Sequence, residues 1–148
     1  MGELPQQRPG DVTILDMEAS IEHLTRGTVR NVDVLLVVTE PYYRSLETTG
    51  RIIPLARDLG LSQVFVVANK LRTERDATAI REFCARHDFL ILAEVPFDEQ
   101  VTEADHDGQA LIDARPSAPA VEAIARLADT LIDRLHLPVP AGRQQHAP

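Results

Sequence analysis

The 148 residues contain no tryptophan, 4% aromatic residues overall and a single cysteine, Cys84. So few rings leave little from which to build the stacking platforms of single-strand nucleic-acid binders. One cysteine excludes an internal disulfide and suits a reducing, cytoplasmic setting. Positive charge is also short: 15 Lys and Arg stand against 23 Asp and Glu, a net charge of −8. Nucleic acid is therefore not an expected partner, because neutralising phosphates needs clustered basic side chains. Apolar runs such as VLLVV at 34–38 fall far below the ~20 residues of a membrane span, so no membrane partner is expected. No basic start leads into an apolar segment, and no signal peptide is visible. A glycine-rich, phosphate-cradling loop is missing as well. Only MGELPQQRPGD precedes the first apolar segment.

What is present has the size and the 44% hydrophobic content of one soluble globular domain. Four short apolar runs recur: Val12–Leu15, Val34–Val38, Val64–Ala68 and Phe89–Ala93. Continuous runs of about five residues fit strands covered on both faces, as in a parallel sheet. Helical patterns separate them. From Tyr42 to Leu59, apolar or small residues recur at Leu46, Gly50, Ile53 and Ala56, and Gly60 supplies the stop. From Asp76 to His87 the inward face is Ala77, Ile80, Phe83 and Cys84, with Thr73 and Asp76 placed as a capping box. After Pro116 and Ser117 a last helix carries Val121, Ile124, Ala125, Ala128, Leu131, Ile132 and Leu135 on one stripe. The expected organisation is a disordered start over 1–10, one α/β domain over 11–136 and a disordered Pro-rich tail over 137–148. Alternating strands and helices predict a doubly wound parallel sheet of about four strands with flanking helices.

In such sheets ligands sit at the carboxyl ends of the strands. Asp16 ends the first run. A carboxylate there can hold a hydrated Mg²⁺, which takes only one or two protein carboxylates; it can equally be a loop or capping acid. Asn69 and Lys70 end the third run. An Asn amide both donates and accepts, so it can pair with a purine edge, or simply cap a turn. Pro96, Phe97 and Asp98 end the fourth. That turn can place backbone groups and a ring beside a flat ligand, or merely lead into a helix. Glu18 and His23 lie five residues apart, wrong for a helical ligand pair. His87, His106, His136 and His146 form no ligand spacing. Cys84 falls on an apolar stripe and reads as a small buried hydrophobe.

Four segments, DMEASIEHLTRGT at 16–28, VDVLLVVTEPYYRSLETTGRI at 32–52, VVANK at 66–70 and VPFDEQVTEADHDG at 95–108, together resemble the later part of the MinD/ParA group of P-loop ATPases. Within it they are most similar to the CooC-type accessory ATPases, which insert nickel into carbon monoxide dehydrogenase. The resemblance implies a P-loop NTPase-like fold of the SIMIBI type. It makes Asp16 the acid that holds Mg²⁺ through water, and Glu18, Ala19 and Ser20 the switch segment that reports the γ-phosphate. It makes Asn69 the adenine reader, beside Lys70, with Pro96, Phe97 and Asp98 flanking the base. Thr39, Glu40 and Pro41 lie where a strand leads into a helix near the dimer interface. Many relatives have glycine where Ser20 stands, which leaves more backbone freedom at the phosphate.

No residue of this sequence matches the group's glycine-rich loop with its two lysines, its switch I acid or its metal-binding cysteine pair. The expectation is a C-terminal portion that does not hydrolyse ATP alone. ATP or ADP with Mg²⁺ would bind only if the phosphate loop comes from elsewhere. The implied partners are a second copy, a complementary subunit carrying that loop, and a carbon monoxide dehydrogenase client. A non-catalytic module docking on another α/β subunit is the competing expectation. Loss of a strand and helix should leave an edge or apolar face of the sheet exposed.

Overall fold

The computed structural model describes residues 12–17 and 32–136. Its order is β1 (Leu35–Thr39), α1 (Tyr43–Asp58), β2 (Val64–Leu71), α2 (Glu74–His87), β3 (Ile91–Pro96), α3 (Glu99–His106), α4 (Leu111–Ala114) and α5 (Pro119–Leu135). The three strands form one parallel sheet in the order β1-β2-β3. The expected α/β architecture with flanking helices is present, with three strands among the described residues.

The fourth expected strand is a correction. Residues 12–17 adopt no regular structure, and Val12 and Ile14 are exposed at 59% and 89%. The β-branched residues there favour an extended backbone. A strand, however, needs a neighbour to take its N–H and C=O groups, and the segment pairs with none of the three described strands. Of residues 12–17, Met17 packs against the core cluster that also takes in Val32 and Leu35. The expected disordered ends, 1–10 and 137–148, lie outside the described residues.

β2 is central because its first five residues, Val64 to Ala68, are all buried. Val64, Val66 and Ala68 face a cluster shared with Ile52, Ile53 and Ala56 of α1 and Ile80 and Cys84 of α2. Val67 faces the other way, toward Val95 and the small residues Ala120 and Ala123 of α5. Alanines at those positions let α5 lie close against the sheet. Its apolar stripe is rotated from the expected one: Ala120 and Ala123 are buried, whereas Ile124 is 53% exposed. The sequence pattern, weighted to large residues, missed the alanine face.

Local signals set the helix ends. Gly60, at φ 94°, follows the last turn of α1, a conformation that costs glycine little. Gly50 allows α1 and α2 to approach; a Cβ there would come within 3.3 Å of Phe83 Cζ. Thr73 and Asp76 form the expected capping box at the start of α2. That helix ends at Asp88 in the left-handed conformation, and the Phe89 N–H bonds the Cys84 carbonyl at 2.9 Å. This turn buries Phe89 as a plug and delays the third strand to Ile91, two residues later than the apolar run predicts. Cys84 is buried as expected, and desolvation pushes its thiol up to about 11. It is a packing residue, not a nucleophile.

Ile53 has no exposed surface. Ile53→Ala should cost about 3 kcal/mol, the usual penalty for emptying a filled core position. Ile124→Ala should cost less than about 1 kcal/mol. Urea unfolding of both variants checks the assigned faces; equal losses would contradict them.

Candidate functional site

The carboxyl ends of the three strands lie side by side because the strands are parallel. Thr39 ends β1 opposite Ala68, and β2 runs on through Asn69 and Lys70 to Leu71. Leu71 pairs with Pro96 at the end of β3, and the Phe97 N–H donates to the Leu71 carbonyl at 2.8 Å. Asn69, Lys70, Pro96, Phe97 and Asp98 are therefore neighbours on one rim. The structure brings together these five of the nine site residues singled out from sequence.

Asp16 stands apart in character. It is exposed, on the irregular 12–17 segment, and has no ion-pair partner among the described residues. No group of three or more His, Cys, Asp or Glu among the described residues could hold a metal ion. A lone exposed carboxylate suits a hydrated Mg²⁺ only if phosphate oxygens supply further ligands. Glu18, Ala19 and Ser20 lie outside the described residues.

Each rim residue has defined company. The Asp98 carboxylate accepts from the Gln100 N–H at 3.0 Å, capping α3, and from the Ala120 N–H at 3.1 Å, near the start of α5. One side chain thus ties two helix N-termini to the end of β3. A negative group is favoured there by both sets of free N–H groups. The turn that leads into a helix and the turn beside a flat ligand are here compatible. Phe97 is covered by the Arg72 guanidinium, 3.3 Å from the ring centroid. The Lys70 ammonium lies 2.7 Å from Glu40 Oε1. Glu40 is itself fixed, since its backbone N–H donates to Ser45 Oγ at 2.9 Å.

Three of these contacts were not foreseen: Glu40 with Lys70, Arg72 on Phe97, and the double role of Asp98. The first two join residues far apart in sequence. Only the third left a local trace, an Asp ahead of a polar, helix-compatible run.

Further acids brace the rim from outside. Arg81 bonds Glu94 of β3 and Glu74 of α2, each at 2.6 Å. The Arg81 hydrogen bonds hold the Glu94 carboxyl below its usual value, against some desolvation. The Asp76 carboxyl is lowered too: desolvation raises it, but the backbone N–H groups of Arg72 and Thr73 outweigh that.

Beside β1 the sheet is open among the described residues. β1 pairs with β2 alone among the described strands, and Val38 is 57% exposed. A groove of ≈ 280 Å³ runs there, lined by Val37 and Val38 of β1 and by Arg44, Ser45 and Thr48 of α1, among others. No described helix is long and apolar enough to cross a membrane.

No family model matches the chain. The carbon monoxide dehydrogenase accessory protein CooC of Rhodospirillum rubrum is 40% identical over 107 residues, covering 72% of this chain and 40% of that protein. Among solved structures, a ParA family ATPase from Chlorobium tepidum superposes with a TM-score of 0.61 at 23% identity, covering 76% of this chain and 46% of that one. The septum site-determining protein MinD of Pyrococcus horikoshii, solved with Mg-ADP, superposes with a TM-score of 0.57 at 24% identity, covering 70% and 42%. The chain spans less than half the length of these relatives.

Two outcomes follow from the rim. Asp98→Ala removes the acceptor of two N–H groups and should lower stability by about 2 kcal/mol in urea unfolding; Asp98→Asn should recover part of that loss. A second concerns pH. Carboxyls whose folded pKa is depressed bind fewer protons folded than unfolded. Their contribution is present above about pH 4 and is lost as pH falls through the folded values. Unfolding midpoints at pH 6 to 3 should therefore fall, and less steeply in Glu94→Gln.

Proposed function

The chain belongs to the MinD/ParA-type family of P-loop ATPases, and on that footing we propose that it supplies the base-reading half of an adenine-nucleotide site. The observation that carries this reading is the meeting of Asn69 with Pro96 and Phe97 on the β2–β3 rim. The Asn69 amide can accept from and donate to a purine edge at once. Pro96 and Phe97 offer apolar surface beside it. Asp16 would hold Mg²⁺ through water once phosphates are present. Glu18, Ala19 and Ser20 would sense the terminal phosphate.

Phosphate grip is the part these residues do not supply. Phosphoryl transfer rests on a loop of backbone N–H groups, its lysine and Mg²⁺. The sequence holds no such loop. We therefore assign the chain no ATP hydrolysis by itself. The open edge of β1 and the groove beside it support a complementary polypeptide: one that adds a strand to that edge and brings the phosphate loop with it. An unpaired edge with an exposed valine favours being covered. In the cell the assembled ATPase would serve metallocentre maturation, nickel insertion into a carbon monoxide dehydrogenase; the name of the R. rubrum relative, a carbon monoxide dehydrogenase accessory protein, supports the client enzyme.

The same open edge also favours a second reading, a module that docks on another α/β subunit without catalysis. Nucleotide dependence separates the two. Purified alone, the chain should show no ATPase above background. Mixed with a polypeptide carrying the phosphate loop, it should form a complex that ATP tightens and that hydrolyses ATP. Asn69→Ala should weaken ATP in that complex about tenfold, the worth of one lost pair of hydrogen bonds. Hydrolysis by the chain alone would overturn the assignment, and a complex indifferent to ATP would favour the docking module.

A further inference from the structure

Asn69 lies inside an irregularity of the sheet, and the surroundings of that irregularity identify what holds it. Ala68 stands opposite Glu94 and Leu71 opposite Pro96. Two residues of β2, Asn69 and Lys70, therefore face the single Val95 of β3, the count of a β-bulge. Packing records the same extra residue independently. By strict alternation Leu71 would share the face of Val67. Instead it packs against the cluster that holds Val64, Val66 and Ala68. The bulge, rather than the alternation of the strand, sets where the Asn69 amide is aimed.

Lys70 carries the conformation that makes the bulge. Its φ is 56°, in the left-handed region. The other non-glycine residues described with positive φ are Asp88 and His136. Both cap the ends of helices, where that conformation is routine. Lys70 alone has it within a strand. Such a conformation in a lysine persists only where neighbours impose it.

The neighbour that meets Lys70 is Glu40. Its carboxylate meets the Lys70 ammonium at 2.7 Å, with the two side chains 31% and 55% exposed. Glu40 is anchored in turn by its N–H bond to Ser45 Oγ, and Ser45 Oγ lies 3.0 Å from the hydroxyl of buried Thr39. The ion pair thus ties the bulge of β2 to the tip of the open-edge strand.

We propose that Lys70, latched by Glu40 in the left-handed conformation, is the positioning residue that aims Asn69 at the nucleotide base. The latch rests on the base-reading role given to Asn69 above. It also links that role to the tip of β1, through the Glu40–Lys70 ion pair.

Three substitutions test the latch, with adenosine titrated into the full 148-residue chain so that phosphate contacts play no part. Lys70→Val removes the ion pair and disfavours the left-handed backbone; adenosine affinity should fall about tenfold. Lys70→Gly removes the same ion pair but keeps that backbone accessible; affinity should stay within about twofold of wild type. Glu40→Gln should weaken binding about threefold, with less dependence on salt than wild type. The HN–Hα coupling of residue 70 should report left-handed φ in wild type and Lys70→Gly, and extended φ in Lys70→Val. A merely structural role would make the glycine and valine variants lose affinity alike. Equal affinity of Lys70→Val and wild type, with Asn69→Ala weakened, would overturn the latch and leave base reading standing. Adenosine binding indifferent to Asn69→Ala, or no binding at all, would overturn base reading and the latch with it.

Discussion

Phe97 donates its backbone N–H to the carbonyl of Leu71 at 2.8 Å, and through that bond β2 and β3 remain joined past the point where their regular register breaks. The candidate site depends on this continuation. Without it the ends of the two strands would splay, and Asn69 would lose its proximity to Pro96 and Phe97. Asp98 fixes the same junction from the other side, because its carboxylate holds the starts of α3 and α5 beside the end of β3. Strand pairing, capping and side-chain placement therefore act on one short stretch of backbone.

Much of the architecture was legible in the sequence. Unbroken apolar runs at VLLVV and VFVVA mark strands covered on both faces, and both became parallel strands within a residue or a few of the expected ends. Thr73 with Asp76, and Gly60, marked helix ends through local chemistry that tertiary packing leaves intact. The errors have equally local causes. VTIL at 12–15 has strand-forming residues but pairs with none of the described strands. FLILA at 89–93 looked like one strand because the sequence does not reveal that Asp88 turns left-handed and diverts Phe89 into the core. In α5 the fully buried contacts are Ala120 and Ala123, with Leu127 packed beside the same cluster, and a pattern of large residues overlooks those alanines.

The site was legible in part. Residue types at strand ends, together with family resemblance, pointed to Asn69 and to the 96–98 turn. Their company was hidden, because a bulge leaves no mark in a string of letters, and the Glu40–Lys70 pair spans α1 and most of β2. The open edge of β1 was expected from the missing phosphate loop. The structure gives that expectation a place, with Val38 exposed and a groove between β1 and α1. On the proposed reading, an edge of this kind and a base-reading rim on the same sheet would give one polypeptide two tasks, holding a base and receiving a partner.

The central claim is that the rim at the ends of β2 and β3 receives a purine. Mapping amide shifts of the isotopically labelled chain during an adenosine titration tests this most directly. The account predicts saturable shifts concentrated at residues 69–72 and 96–98, including the Asn69 side-chain amide. Saturable shifts centred instead on the groove between α1 and α2 near Tyr43 and Arg86, with the rim unmoved, would contradict it.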